Sequence, residues 1–168
     1  MLQDREDTYV ASAYAVEVMS QQDLEIVSIK IPSGEFGVGD VVQAEIVIKN
    51  HSDAEVSSDD LSFEFVASKD PVLGNGDDYL ISSGHTAQEA VLANSTVTTS
   101  IEFVIPADAT AGSVYVGVYA QLPSNYDELN KANNIQRTES AVLNIPEWEL
   151  NLVTLGNGQV NQDFAAMR

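Results

Sequence analysis

The sequence predicts an all-β, immunoglobulin-like antiparallel β-sandwich of about seven strands, with additional strand segments at both ends. Three observations predict it. Apolar and polar residues alternate with a period of two along most of the chain, as in strands buried on one face. Clusters of Gly, Pro, Asn and Asp punctuate these runs at short intervals. No apolar stripe at helical spacing reaches a convincing length.

Leu24 to Ile31 supplies the first strand of the sandwich, closed by Pro32-Ser33-Gly34 and Gly37-Val38-Gly39-Asp40. Val42, Ala44, Ile46 and Ile48 share one face of the next, and Asn50-His51-Ser52-Asp53 ends it. Leu61, Phe63, Phe65 and Ala67 repeat the pattern before Pro71, Gly74, Asn75 and Gly76 break it. The segment from His85 to Ala93 reads as a crossing between sheets rather than a turn of helix. Val97, Thr99, Ile101, Phe103 and Ile105 form another apolar face. Val114 to Leu122 is apolar on both faces, which marks a covered strand central in its sheet. Ile135 to Ile145 is the last strand.

Composition bounds the function. The chain has 168 residues, 44% hydrophobic, enough for a real core in one domain with chain to spare. Twenty-six acids against 7 Lys+Arg give a net charge of -19, so nucleic acid is a poor partner: no basic patch displaces its counterions. The absence of cysteine removes disulfides, thiolate metal sites and cysteine nucleophiles. No apolar run approaches the ~20 residues of a membrane span, so no membrane insertion is expected. The opening MLQDREDTYV carries no apolar stretch of a secretion signal. Acidity of this degree suits a saline or calcium-containing exterior and discourages edge pairing between sheets.

The ends repeat one pattern. A strand-like segment from Ala11 to Val18 precedes Leu24-Glu25-Ile26-Val27, just as Ser140 to Ile145 precedes Leu150-Asn151-Leu152-Val153. Either the chain samples a tandem array, or both ends are extensions without structure. In the array reading, 1–22 closes a preceding module or is a linker, 23–145 is one whole module, and 146–168 is a linker and the start of the next.

Residues 23–145 resemble the cell-adhesion-related domain found in bacteria, CARDB. The likeness rests on Asp23-Leu24-x-Ile26-x-x-Ile29, Val38-Gly39-Asp40-x-Val42, Ile46 to Asn50, and Phe65 to Asp70 followed by Asp77 to Ile81. It continues in Ala111 to Tyr115 and, most specifically, in Asp127-Glu128-Leu129-Asn130-Lys131-Ala132-Asn133-Asn134-Ile135. The last departs from the family pattern, with Asn130 or Lys131 where a second acid is common. The resemblance implies a secreted or cell-surface prokaryotic module that serves adhesion or spacing. Its partners would be neighbouring modules of the same polypeptide and a protein or glycan target.

The residues add their own candidates. Asp70, Asn75, Asp77 and Asp78 gather hard oxygen ligands of the kind calcium takes, without the order of an EF-hand. The alternative is a solvated hairpin in which Asp and Asn cap turns. A second oxygen-rich stretch, Asn125 to Asp127 with Glu128, Asn130, Asn133 and Asn134, either faces the same end of the sandwich or caps its own loop, with the paired asparagines locking nearby backbone. Asp53, Glu55, Asp59 and Asp60 read as a solvated acidic face. Tyr115 sits where sandwiches place a corner tyrosine. Tyr79, Tyr119, Tyr126 and Trp148 are the aromatics a glycan-binding accessory module of a secreted hydrolase would use; Trp148 equally suits the joint between two modules.

Catalysis has little support. His51 and His85 both lie in turn-rich segments, and Ser82 and Ser83 beside His85 form no nucleophile elbow. The expectation is a non-enzymatic module with no catalytic residue. Glycan binding, a calcium-stiffened adhesin repeat, and strand exchange between copies through a terminal strand remain alternatives.

Overall fold

The computed structural model describes residues 21–147 and the backbone of two further short strands. The strand expected over 11–18 and the linker residue Trp148 lie outside the described residues.

β1 (Gln21–Gln22) leads into β2 (Leu24–Lys30); β3 (Gly34–Glu35) and β4 (Val41–Asn50) follow. β5 (Ser62–Ser68), β6 (Tyr79–Thr86), β7 (Thr96–Val104) and β8 (Gly112–Gln121) complete the central part. β9 (Asp127–Glu128), β10 (Ile135–Arg137) and β11 (Leu143–Ile145) end the sandwich. β12 (Leu152–Thr154) and β13 (Val160–Gln162) pair antiparallel with each other.

One sheet has the order β2-β4-β7, and the other β3-β11-β8-β5-β6, with β10 also on β8. β10 and β11 are two halves of one strand position, so three strands face four, with the two-residue β3 added at the edge beside β11, as in an immunoglobulin-like sandwich. The short β3 crosses from the first sheet's side to pair parallel with β11, Leu143 opposite Gly34.

The alternating residues meet between the sheets. Ala44, Ile46 and Ile48 of β4 and Phe63, Phe65 and Ala67 of β5 are fully buried, as are Val114, Val116 and Val118 of β8. Phe65 and Phe103 stack across the gap with ring centroids 4.7 Å apart. Fully burying a side chain of this size contributes ~1.5–3 kcal/mol. β8 lies between β5 on one side and β10 and β11 on the other, the central place its sequence predicts. Residues 87–95 cross from β6 to β7, held midway by a Val56–Val91 bridge.

Two strands depart from simple alternation. In β2 the register shifts between Ile26 and Ser28, so Leu24 and Ile26 point inward before the bulge and Ile29 and Ile31 after it. The expected last strand is interrupted. Thr138 turns inward and its Oγ1 takes the place of a backbone carbonyl, accepting from Val116 N at 3.2 Å, while residues 139–141 bow away before Val142 N rejoins Val114 O.

Candidate functional site

Loop 70–78 is clasped to the outer face of the larger sheet. The Leu73 side chain lies on Gly117 of β8, so close that a Cβ there would stand 2.6 Å from Leu73 Cδ1. Arg137 Nε donates to Pro71 O at 2.7 Å, and the guanidinium carbon sits 5.3 Å from the centroid of the Tyr115 ring. Tyr115 is therefore a platform for a cation on the outer face rather than a corner residue. The outer face of β8, with Tyr115, Gly117 and Tyr119, is apolar because a loop covers it.

The four candidate ligands occupy this loop. Asp70 Oδ1 accepts from Val72 N at 2.7 Å, and Asn75 Nδ2 donates to both Asp70 oxygens at 3.3 and 3.1 Å. Asp77 Oδ2 accepts from Lys69 N at 3.1 Å, and Asp78 Oδ2 accepts from Gly74 N. Gly74 has φ of +90°, the left-handed turn that aims its N–H at Asp78. Asp78 Oδ1 is buried and has no hydrogen-bond partner among the described residues. Among the described residues, no three His, Asp or Glu side chains converge as a metal-binding group.

The other oxygen-rich stretch lies at the opposite pole. β8 starts at Gly112, near the 70–78 loop, and ends at Gln121, from which residues 122–134 extend. Tyr126 Oη donates to Asp60 Oδ2 at 2.7 Å, and Asn130 Oδ1 accepts from Ala132 N at 3.2 Å. β9 pairs parallel with β1, and Glu128 Oε1 accepts from Leu24 N at 3.1 Å. Asn133 does not lock neighbouring backbone: its Nδ2 donates to Asp23 Oδ1 at 2.9 Å, across more than half the module. Asn134 is 5% exposed.

Ser82 and His85 come together on the edge strand β6, Oγ to Nε2 at 2.7 Å, with the imidazole edge-on to Phe65 at 5.6 Å. Gly84, at φ +78°, makes the irregular turn that brings them together. Among the described residues no carboxylate hydrogen-bonds the other ring nitrogen, so nothing fixes the tautomer as a triad requires. His51 instead meets Glu25 on the surface, Nε2 to Oε2 at 2.6 Å.

The described aromatic candidates do not share a groove. Tyr79 stands opposite Ala67, on the core side of the sheet edge, and its Oη donates to Thr110 O at 3.2 Å. Tyr119 stands on the outer face, opposite Glu64. Tyr126 belongs to the far pole. All three hydroxyls ionise above the usual tyrosine value. Burial is the main cause for Tyr79 and for Tyr119, which also feels the Asp78 carboxylate. The hydrogen bond to Asp60 is the main cause for Tyr126.

A groove of about 760 Å³ follows the seam where β2 borders the bowed 139–141 segment, lined by Val27, Ile29, Ile31, Arg137, Thr138 and Val142 among others. Among the described residues, both β2 and β10 are paired on one edge only. The sequence gives no sign of this seam, nor of the Leu73–Gly117 or Asp23–Asn133 contacts. The one available signal was the glycine in the middle of an apolar strand, which marks a close approach.

No protein-family model and no curated protein matches the chain. Among solved structures, the chain is similar to the sporulation control protein Spo0M of Bacillus subtilis, at 11% identity and TM-score 0.46, over 76% of this chain and 51% of that one. It is also similar to a CARDB domain from Pyrococcus furiosus, in a crystal structure with di-metal ions, at 16% identity and TM-score 0.49 over 76% of this chain and 97% of that one. The solution structure of that CARDB domain gives 18% identity and TM-score 0.46 over the same shares.

Proposed function

We propose that the chain is a non-enzymatic structural or adhesion-type module of a larger secreted or cell-surface prokaryotic protein, where it spaces or presents neighbouring domains. One observation carries this reading. The chain comes in at β1, beside the loop that follows Gln121, and leaves the sandwich at Ile145, opposite Gly112. These are the two ends of β8, whose ten residues span roughly 30 Å. A module threaded from pole to pole holds its neighbours apart, whereas one with adjacent ends would bring them together. Strand exchange between copies would use the seam beside β2.

Tandem copies of the chain test this. Small-angle scattering is expected to show a maximum dimension that grows by about one module length, roughly 30 Å or more, per copy. Folding back to a constant dimension would overturn the spacing role. Calorimetry against a glycan panel is expected to give no heat; reproducible heat would favour the accessory-module reading.

A second reading places calcium at Asp70, Asn75, Asp77 and Asp78. The unpartnered Asp78 Oδ1 favours it. The backbone N–H groups already held by these carboxylates compete with it. Asp78→Asn should then abolish any calcium-dependent rise in melting temperature.

A further inference from the structure

β2 is an edge strand whose free side is complementary to itself. Among the described residues it pairs only with β4, and the bow at 139–141 leaves a groove along its other edge. The register sets the backbone phase. His51 N donates to Asp23 O; continuing that alternation along β4, Lys49, Val47 and Glu45 bond to Glu25, Ser28 and Lys30. The N–H and C=O groups of Ile26 and Ile29 therefore point away from β4, toward the free edge. Leu24 N points the same way and is taken by Glu128 Oε1, which ends the free stretch there.

The bulge decides which residues can meet across this edge. In a uniform strand Ile26 and Ile29, three apart, would point to opposite faces. The extra residue at Val27–Ser28 turns both inward, 2% and 6% exposed, and leaves Glu25 and Lys30 both outward. A second β2, turned about a two-fold axis beside Val27 and Ser28, then aligns face for face. Ile26 meets Ile29 of the second copy, and these are the residues whose backbone groups are free to bond. Glu25 meets Lys30 of the second copy at a non-hydrogen-bonded place, where opposite side chains stand closest. The two exposed Val27 side chains come together near the axis. A bulge ordinarily blunts an edge, because two residues oppose one. Two bulges facing each other restore the count.

Charge points to the same partner. Glu25 and Lys30 are the only charges of β2, so this edge is locally neutral in a chain of net charge -19. Each is already paired on its own sheet, Glu25 with His51 at 2.6 Å and Lys30 with Glu45 at 3.7 Å. Exposed pairs of this kind contribute little and leave both side chains free to turn across the edge.

We propose that the free edge of β2 pairs antiparallel with β2 of a second copy, making one continuous sheet in the order β7-β4-β2-β2-β4-β7. This goes beyond the spacing role: it joins molecules side to side with their poles opposed, whereas spacing links modules end to end. It differs from exchange of a terminal strand, since no segment leaves its own molecule.

The full chain tests it in about 0.15 M salt, which screens the repulsion between two acidic molecules. Sedimentation is expected to show mass rising with concentration from one copy to two and no further. Glu25→Lys and Lys30→Glu should each weaken dimerisation by about tenfold or more, since two symmetry-related pairs turn repulsive at once. The double variant Glu25→Lys/Lys30→Glu should restore it. The register has its own readout, because the chain has no cysteine. A mixture of Glu25→Cys and Lys30→Cys copies should form a disulfide-linked dimer on mild oxidation, and either variant alone much less of one. Circular dichroism first confirms that each variant is folded, and the cysteine pair decides where a charge variant is not. A monomer at every concentration would overturn the proposal. Charge reversal without rescue would overturn it too, as would dimers that form no mixed disulfide, which leave the edge to a terminal strand. Each of these results leaves the spacing role standing, since that is read from tandem copies.

Discussion

Leu73 rests on Gly117, and only a residue without a Cβ leaves room for it: Leu73 Cδ1, Leu73 Cδ2 and Val66 Cγ2 would stand 2.6, 2.8 and 2.9 Å from a methyl group there. A glycine that looks like a weakness in a central strand is the socket for the long loop.

Gly117→Ala should therefore lift the loop without disturbing the inner face of β8. The expected cost is about 1–3 kcal/mol, the range for overpacking a filled site. Hydrogen exchange is the selective readout. Amides of Val72 and Gly74 should lose protection, while those of Val116 and Val118 keep theirs. Uniform loss along β8 would contradict the socket.

Phe65→Ala removes a ring that is fully buried and stacks on Phe103 from the opposite sheet. Chemical denaturation is expected to show a loss of ~3–5 kcal/mol, as for other buried aromatics. A much smaller loss would mean that the two sheets are not packed through this pair.

Alkaline titration should resolve the tyrosines. In Tyr79, Tyr119 and Tyr126 the folded state raises the hydroxyl above its ordinary value of 10.0. The folded chain then holds protons that the unfolded chain has released, so stability is full below that value and falls as pH rises through the folded ones. Ultraviolet absorbance should show these groups ionising later than free tyrosine. Tyr126→Phe should remove one late-titrating group, and loss instead of a group that ionises at the ordinary tyrosine value would disprove the Tyr126–Asp60 bond.

The seam beside β2 has its own consequence for association. If copies exchange strands there, sedimentation of the full chain should show mass rising with concentration, and Val27→Lys, at a position 43% exposed on the rim, should suppress it. A monomer at every concentration removes strand exchange.

Much of the framework was readable from alternation alone. Every inward position read from 42 to 48, from 61 to 67 and from 114 to 120 is buried, because a period of two allows one face to the core and one register. β6 was not readable that way. It is an edge strand with register shifts between Phe63 and Phe65 and between Phe65 and Val66, and its Ser82-Ser83-Gly84 stretch carries no apolar period. The break in the last strand was hidden for a related reason. Thr138 replaces a backbone acceptor with its hydroxyl, which no hydropathy pattern records. Of the candidate ligands, the sequence brought Asp70, Asn75, Asp77 and Asp78 into one loop. It could not show which N–H groups those carboxylates hold, because these depend on loop geometry. Asp23 and Asn133 meet only through the fold, being distant along the chain.

The parallel pairing of β3 with β11 bears on how the molecule would carry a mechanical load. Tension applied at the two poles pulls neighbouring strands lengthwise past each other, so the bonds from Gly34 N to Val142 O and from Phe36 N to Asn144 O must fail together rather than one by one. A tether built from such units stretches little before it yields.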